Sequence, residues 1–584
     1  MNNFPRYISK NLSDYSHMPN MSTAGLYVLI FFLLPLVITC LSLACHFRNQ
    51  ASRTNEPKEP ITPPYWVRGA SHLCSILFDT ESFLRRLQSR CQYSIISLSS
   101  AVPVYFAFPG EATKDLFRSS RDLVPAPSLL DALTVFFGLT SDREIFQHDN
   151  ISAFEIPLGE HTSHPDPSRR IMEHQRKDFA TYLNGEHLGS VMTTFTDIFT
   201  KSLWPEADES RGAIALPDLY LFIRNRIFRA EVEALYGEHI FSICPSLCDD
   251  FWAFYDAFPV ISRQLPQWLF PAHYSTRRKM LLNLHIWRTW CNSASERTSN
   301  DGLIWGTSYI RRMVQRHEDL GFSDDGISSV MLGYLFVTTS NTVPATAWMI
   351  LHVFLDQSLT ARLRHELYLN PQNSVQTILL ELGRAPLVNS VYREVLRLHV
   401  AGTVGRKSYK GKFSFPSGLQ ILAGIPLMSA NWLGGLDSSF WNTGRLIDGF
   451  SEYPVENFWA ERFLKYPGDP MSGPVRSATK YEHLVGGRTG QKTAQDDSNA
   501  RLVTSGIREH WFPFGGGAWK CPGETLATST ILLSFFIVLR ELDIEFLDHK
   551  QASRVRTGHR TLPFGSHAFS KPVAVRIKRR LREE

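Results

Sequence analysis

Towards its C-terminal end the chain reads Trp511-Phe-Pro-Phe-Gly-Gly-Gly-Ala-Trp-Lys-Cys-Pro-Gly523, and this stretch constrains the fold more than any other. Three consecutive glycines permit a backbone that bends tightly and lies close to something flat. Cys521 follows them, and an apolar, helix-like run begins directly after Pro522 and Gly523. A helix start carries free N–H groups and a positive dipole end, which favour a thiolate over a thiol. A thiolate on such a loop is a good axial ligand for iron. A buried cysteine on an ordinary turn is the alternative.

Taken whole, Phe514-x-x-Gly517-x-x-x-Cys521-x-Gly523 resembles the haem-binding loop of the cytochromes P-450. The resemblance implies haem b (iron protoporphyrin IX) held through Cys521, with Phe514, Gly517 and Gly523 shaping its seat. One position departs from the family pattern: the Arg or His expected two residues before the cysteine is Trp519. A salt bridge to a haem propionate is therefore expected to be missing there.

With 584 residues, 43% hydrophobic and 12% aromatic, the chain can bury a large core around an apolar pocket. A net charge of +5, spread along the chain, leaves no nucleic-acid footprint. The eight cysteines contain no C-x-x-C pair, and the nearest to Cys521 is Cys291, so no zinc site is advertised and a reducing compartment is expected.

The N-terminal part reads as a membrane tether. Residues 1–23 are polar with sequons at Asn11 and Asn20, and Ala24 to Cys45 is a run of 22 residues without a charge. At about 1.5 Å per residue such a run crosses a hydrocarbon core of roughly 30 Å. A cleaved signal peptide is the rival reading. Arg48, Arg53 and Lys58 after the span favour a cytosolic C-terminal side, which would leave the sequons luminal and open to glycosylation. Glu56 to Pro64 reads as a stiff proline-rich spacer. Anchor, hinge and catalytic domain in that order resemble the microsomal cytochromes P-450.

From Tyr65 to about Leu320 helical periodicity dominates, with expected helices at 82–97, 111–123, 170–183, 190–203 and 216–235 and a β-like patch at Val102–Phe108. The basic run Arg169, Arg170, His174, Arg176, Lys177 is either a solvated helix face or, by the resemblance, a source of His174 for a haem propionate.

Met331 to Leu355 is apolar nearly all round and should be buried, with Ser323 as its upstream cap. In its middle lies a polar island, Thr338-Thr-Ser-Asn-Thr342, followed by Pro344, which cannot donate to the Ser340 carbonyl and pushes that turn open. An opened turn lined by hydroxyls and an amide can hold dioxygen and water; a plain proline kink is the alternative. The island is similar to the family's oxygen-site motif, with Asn341 in place of its acid. Asn-Thr-x-Pro-Ala-x-x-Trp resembles the branch of steroid 7α-hydroxylases and prostacyclin synthase. The resemblance implies that Thr342 helps deliver protons to oxygen, and that Asn341 can hydrogen-bond without relaying an acidic proton.

Glu394 and Arg397 share a helix face, and Phe458-Trp-Ala-Glu-Arg-Phe463 supplies Arg462. By the family pattern these three form a buried triad behind the haem, and Arg406 pairs with a propionate. Leu464 to Glu509 is expected to be a surface insertion, partly disordered. Thr557 to Ile577 reads as strands and a turn, with His567, Ala568 and Phe569 as candidate pocket residues.

The expected architecture is mainly α with a small β region: a cytochrome P-450 fold preceded by one N-terminal transmembrane helix. It divides into a luminal tail (1–23), an anchor (24–46), a linker (47–64) and a haem domain (65–584). The expected activity is oxidation of an apolar small molecule, such as a sterol, terpenoid or other specialised-metabolite intermediate. It would use O2 and electrons from NADPH-cytochrome reductase, at the cytosolic face of the endoplasmic reticulum. Two alternatives stand: a haem-thiolate isomerase or dehydratase of a hydroperoxide or endoperoxide, and a non-catalytic haem-binding protein.

Overall fold

The computed structural model describes residues 59–63, 72, 75–76, 79–90, 93–99, 103–126, 128–147, 164–204, 212–295, 304–368, 373–408, 411–447, 450–476, 492–557 and 565–580. The expected tail, membrane span, sequons and most of the linker lie outside them. No described helix is long and apolar enough to cross a membrane.

The described architecture is mainly helical with small sheets, as expected. The helices that position the site are α1 (Glu111–Arg118), α2 (Ile171–Tyr182), α3 (Gly185–Leu203), α4 (Leu219–Tyr236), α5 (Asp324–Thr339), α6 (Thr342–Phe354), α7 (Pro386–His399) and α8 (Glu524–Glu541). The core is their packing: α4 lies against α3 and α6, and α6 lies against α7 and α8. Nearly every residue of α5 and α6 is buried, and so is α8 from Thr530 to Leu539, as their all-round apolar sequences require.

A five-stranded sheet is built from β1 (Ile95–Leu98), β2 (Val104–Ala107), β3 (Leu123–Pro125), β4 (Thr403–Ser408) and β5 (Leu427–Ala430), in the order β1-β2-β5-β4-β3. The pairings are antiparallel except β2 with β5. The helix expected over 82–97 is shorter, Thr80–Arg90, because the Ile95-Ile-Ser-Leu98 run pairs with β2 instead. In the expected insertion, Leu464–Lys465 pairs with Arg501–Leu502, and Asp497 is buried against Arg362. These flanks are therefore built into the fold; residues 477–491 lie outside the described set.

The expected helix over Met331–Leu355 is two helices. The first is capped by Ser323, whose Oγ accepts from Gly326 N–H at 3.1 Å. It closes with Ser340 N–H to Phe336, and helical bonding resumes with Ala345 N–H to Asn341 at 3.4 Å. Pro344 explains the interruption: it offers no N–H to the Ser340 carbonyl.

Candidate active site

The cysteine loop is held by distant parts of the chain. Trp511 Nε1–H donates to the Arg393 carbonyl at 3.2 Å, Phe512 N–H to Asn431 Oδ1 at 2.6 Å, and Cys521 N–H closes the loop on the Phe514 carbonyl at 2.8 Å. The glycines answer two separate demands. Gly515 and Gly517 have φ of +71° and +68°, where a side chain is strained. At Gly516 a Cβ would sit 2.7 Å from the Phe117 ring, at the end of α1. The Trp519 indole N–H donates to the Ser120 carbonyl at 3.2 Å, so this residue locks the loop to the segment after α1.

Protein crowds Cys521 enough that loss of hydration pushes its thiol pKa up, against the Gly523 N–H, yet the residue stays exposed to solvent. The thiol is hemmed in by protein and still reachable from solvent. Desolvation here outweighs the helix-start effect expected from the sequence, so the thiolate would have to be held by a bound metal ion.

Arg406 makes the complementary observation. It is 5% exposed, and its Nη1 donates to the Gly405 carbonyl at 2.8 Å and Nη2 to the Gly516 carbonyl at 3.4 Å. Its Nε is buried without a partner, and no carboxylate of the described residues pairs with it. Burial pushes its pKa down to about 10. A buried guanidinium beside the cysteine loop and lacking an anion fits a ligand that brings an acidic group, as haem propionates do. His174 is not brought to this place: it meets the Pro167 carbonyl at 2.9 Å and lines a surface pocket with Arg169 and Arg311.

On the interrupted helix the open face is narrow. Val337 is 58% exposed near the C-terminal end of the buried α5, and Asn341, four residues on, is exposed too. Asn341 Oδ1 accepts the Ser566 N–H at 2.9 Å, and Gly565 packs so closely that a Cβ would come within 2.6 Å of that oxygen. With its oxygen engaged on an exposed residue, the amide keeps two N–H donors for a further partner. Thr342, the residue expected to serve oxygen, is 2% exposed and turned into the protein, where its Oγ1 meets Glu231 Oε1 at 2.7 Å. Adjacent helical residues point about 100° apart, so only one of the two can face a given cleft.

The turn Gly565–His567 joins this helix to the cysteine loop. Ala401 N–H donates to the Gly565 carbonyl at 2.7 Å, and a Cβ on Gly402 would sit 3.3 Å from the Pro513 carbonyl. His567 and Phe569, expected at the pocket, are buried in the core, Phe569 edge-on to Trp348 at 4.6 Å; Ala568 is partly buried against the same core.

The structure brings Glu394, Arg397 and Arg462 together. Arg397 Nε and Nη2 grip the two Glu394 oxygens at 2.7 Å each, and Arg462 Nε lies 3.0 and 3.1 Å from them. Burial alone would raise the Glu394 pKa, but the two guanidiniums hold it below the usual carboxylate range. The remaining donors bind carbonyls, including Val455 from Arg397 and Asn457 from Arg462. They tie α7 to the chain leading to the loop.

Residues 238–443 match the family model for cytochrome P-450, a span that takes in the interrupted helix and Glu394–Arg397 and ends before the cysteine loop. A cytochrome P-450 monooxygenase, fsoE, from Humicola fuscoatra is 30% identical over 62% of this chain and 62% of its own, less than two thirds of that relative's length. Another, efuG from Hormonema carpetanum, is 25% identical over 89% of this chain and 91% of its own. The chain is similar to cytochrome P-450 monooxygenases over most of its length. Similarity reaches cytochrome P-450 7B1 of Mus musculus, 23% identical over 57% of this chain and 59% of that one, in keeping with the branch the oxygen-site helix resembles. The P-450 family implies a haem-thiolate cofactor, an organic substrate, O2 and a redox partner. In this chain, the residues that fit such a cofactor are Cys521, the Gly515–Gly517 bend and Arg406.

Sequence reasoning missed Glu231, Phe117, Ser120 and Asn431. Glu231 left one signal: an acid on the apolar face of α4, with Ile227 and Phe228 before it and Leu235 after it at helical spacing. The others act through ring packing and backbone bonds, which a sequence does not display.

Proposed function

We propose that this chain is a membrane-anchored monooxygenase that holds haem b through Cys521 and inserts one oxygen atom of O2 into an apolar small molecule. A sterol, terpenoid or similar specialised-metabolite intermediate is the substrate class. The observation that carries this reading is Cys521, crowded by protein and still open, on a loop whose Gly516 carbonyl meets a buried Arg406 that lacks an anion. Haem bound there supplies the electron storage and oxygen activation that no side chain of the protein can.

The chain's own contributions follow from their positions. Cys521 ligates from one side, and the Gly515–Gly517 bend brings backbone close to a flat ring. Arg406 binds a propionate and anchors it. Val337 offers an apolar wall to the substrate, and Asn341 presents N–H donors to the oxygen side. The triad of Glu394, Arg397 and Arg462 keeps the loop in register.

Electrons are proposed to come from NADPH-cytochrome reductase. Lys114, Arg118, Arg393, Arg508 and Lys520 outnumber Glu509 and Glu524 on the walls of a cleft of about 910 Å³ bounded by Phe512–Gly517, a net cationic surface suited to an acidic carrier. The apolar run Ala24–Cys45 supports a single-pass anchor in the endoplasmic reticulum with the catalytic part in the cytosol.

The test is the reduced, carbon monoxide-bound spectrum of the full chain. The wild type should show the red-shifted Soret band of thiolate ligation, and Cys521→Ala should abolish it. Survival of the band in that variant would overturn the reading. The amide at Asn341, where the family carries an acid, favours a second reading as isomerase or dehydratase of a hydroperoxide. Turnover of a hydroperoxide without NADPH and reductase would establish that alternative, and a strict need for both would exclude it.

A further inference from the structure

Glu231 lies midway along α4, 5% exposed, with its Oε2 buried and unpartnered. Its Oε1 is 2.7 Å from Thr342 Oγ1, and that hydroxyl is also 3.2 Å from the Thr339 carbonyl, at the end of α5. Desolvation raises its pKa well above the usual carboxylate range, and the Thr342 contact alone opposes this.

A proton count decides how the three groups are bonded. A threonine hydroxyl has one hydrogen to give. If Glu231 were ionised, that hydrogen would go to the carboxylate. The Thr339 carbonyl would then lose this donor, and a bare charge would sit in apolar core with an empty oxygen, an arrangement that desolvation strongly opposes. If Glu231 carries the proton, its O–H donates to Thr342 Oγ1 and the Thr342 hydroxyl donates to Thr339. Both contacts are then satisfied without a charge.

We propose that Glu231 is a neutral carboxylic acid that acts as a positioning residue for the oxygen side of the site: through Thr342 it pins the opened turn between α5 and α6, so that Asn341 faces the cleft. The residue just before Thr342 in the chain is Asn341, whose rotation is fixed from one side by Thr342 and from the other by Ser566. The pinning occurs where the helix has lost its own backbone bonds. A tether from a neighbouring helix therefore decides which of two adjacent side chains turns inward. The inference rests on the functional reading above only in taking Asn341 as facing the oxygen side.

The test uses the full-length haem-loaded protein, reduced and bound to carbon monoxide, read by infrared spectroscopy. The C–O stretch reports hydrogen-bond donors near the bound gas. Asn341→Leu should raise its frequency. Glu231→Leu and Thr342→Val should shift it to the same place, with haem content retained. Glu231→Gln should keep the wild-type band, because its amide N–H can donate to Thr342 as the acid does. The wild type minus Glu231→Gln difference should also contain the C=O stretch of a protonated carboxyl. Wild-type bands in both Glu231→Leu and Thr342→Val, a Glu231→Gln shift matching that of Glu231→Leu, or ionised-carboxylate bands in the difference spectrum would each overturn the proposal. An unmoved band in Asn341→Leu would instead remove Asn341 from the oxygen side, which is a failure of the functional reading.

Discussion

His352 and His399 face each other across 2.9 Å between their Nε2 atoms, joining α6 to α7 with no acid between them. Two nitrogens this close need one proton between them, so one ring donates and the other accepts, and both are neutral. Trp348 stacks on His399 at 3.7 Å, and Phe458 stacks on His352 at 4.3 Å.

The pair makes the fold sensitive to acid. Burial pushes the His352 pKa down to about 4 and that of His399 well below its usual value. A free histidine titrates near pH 6.5, so the unfolded chain takes up protons first. Stability from the pair is fully present above about pH 6.5 and is lost as the pH falls towards about 4. Thermal melts of the wild type should drop across that window, and His352→Phe should flatten the drop.

Arg397→Ala and Arg462→Ala should both strand buried charge, Arg397→Ala leaving Arg462 with all of Glu394 and open carbonyls where its donors had been. A loss of about 3–5 kcal/mol is expected from breaking a buried pair of this kind. The haem-to-protein ratio of purified material should fall steeply for both. Normal haem uptake by Arg397→Ala would remove the triad from the loop's support.

Arg406→Met separates the empty protein from the loaded one. Without haem, Arg406 is a buried cation lacking an anion, its pKa held down to about 10 by burial. Its removal should raise the melting temperature of haem-free protein while haem dissociates faster, on the order of tenfold or more for the loss of a charge-assisted bond. Melting curves and haem transfer to an apoprotein acceptor would check the two halves.

Gly516→Ala and Gly517→Ala should both weaken the loop, by about 1–3 kcal/mol for overpacking, but for different reasons. The first clashes with the Phe117 side chain, so Phe117→Leu in the same molecule should restore much of the haem content. The second meets the Phe117 carbonyl at a φ of +68°, and the same second change should not help. Equal rescue of both would contradict the packing described.

The parts of the site legible in the sequence are those set by local spacing. Glu394 and Arg397 at i, i+3 had to share a helix face, and Pro344 had to open the turn at Ser340. Arg406 carries only a family expectation in the sequence; its missing anion is visible only in three dimensions. The choice between Asn341 and Thr342 was not legible at all. The helix is apolar on every side, so no amphipathic stripe marks which face meets open space, and the face is set by Glu231 on α4 and Ser566 near the C-terminus. His174 stayed open in the sequence because a basic helix face looks the same whether it meets a ligand or water. The helix expected through residue 97 failed because Ile95-Ile96 gains more from pairing with Phe106-Ala107 than from helical continuation.

The contact of Ala518 N–H with Ser120 Oγ, at 3.2 Å, joins residues 398 positions apart. It sets an order of events during synthesis. When Phe117 and Ser120 leave the ribosome, the glycines they will clasp have not been made, and the early sheet must wait with one flank open. No partial chain ending before Gly523 has a place for the prosthetic group. Loading therefore falls late, after Gly523 has been made and the glycines before it have met Phe117 and Ser120.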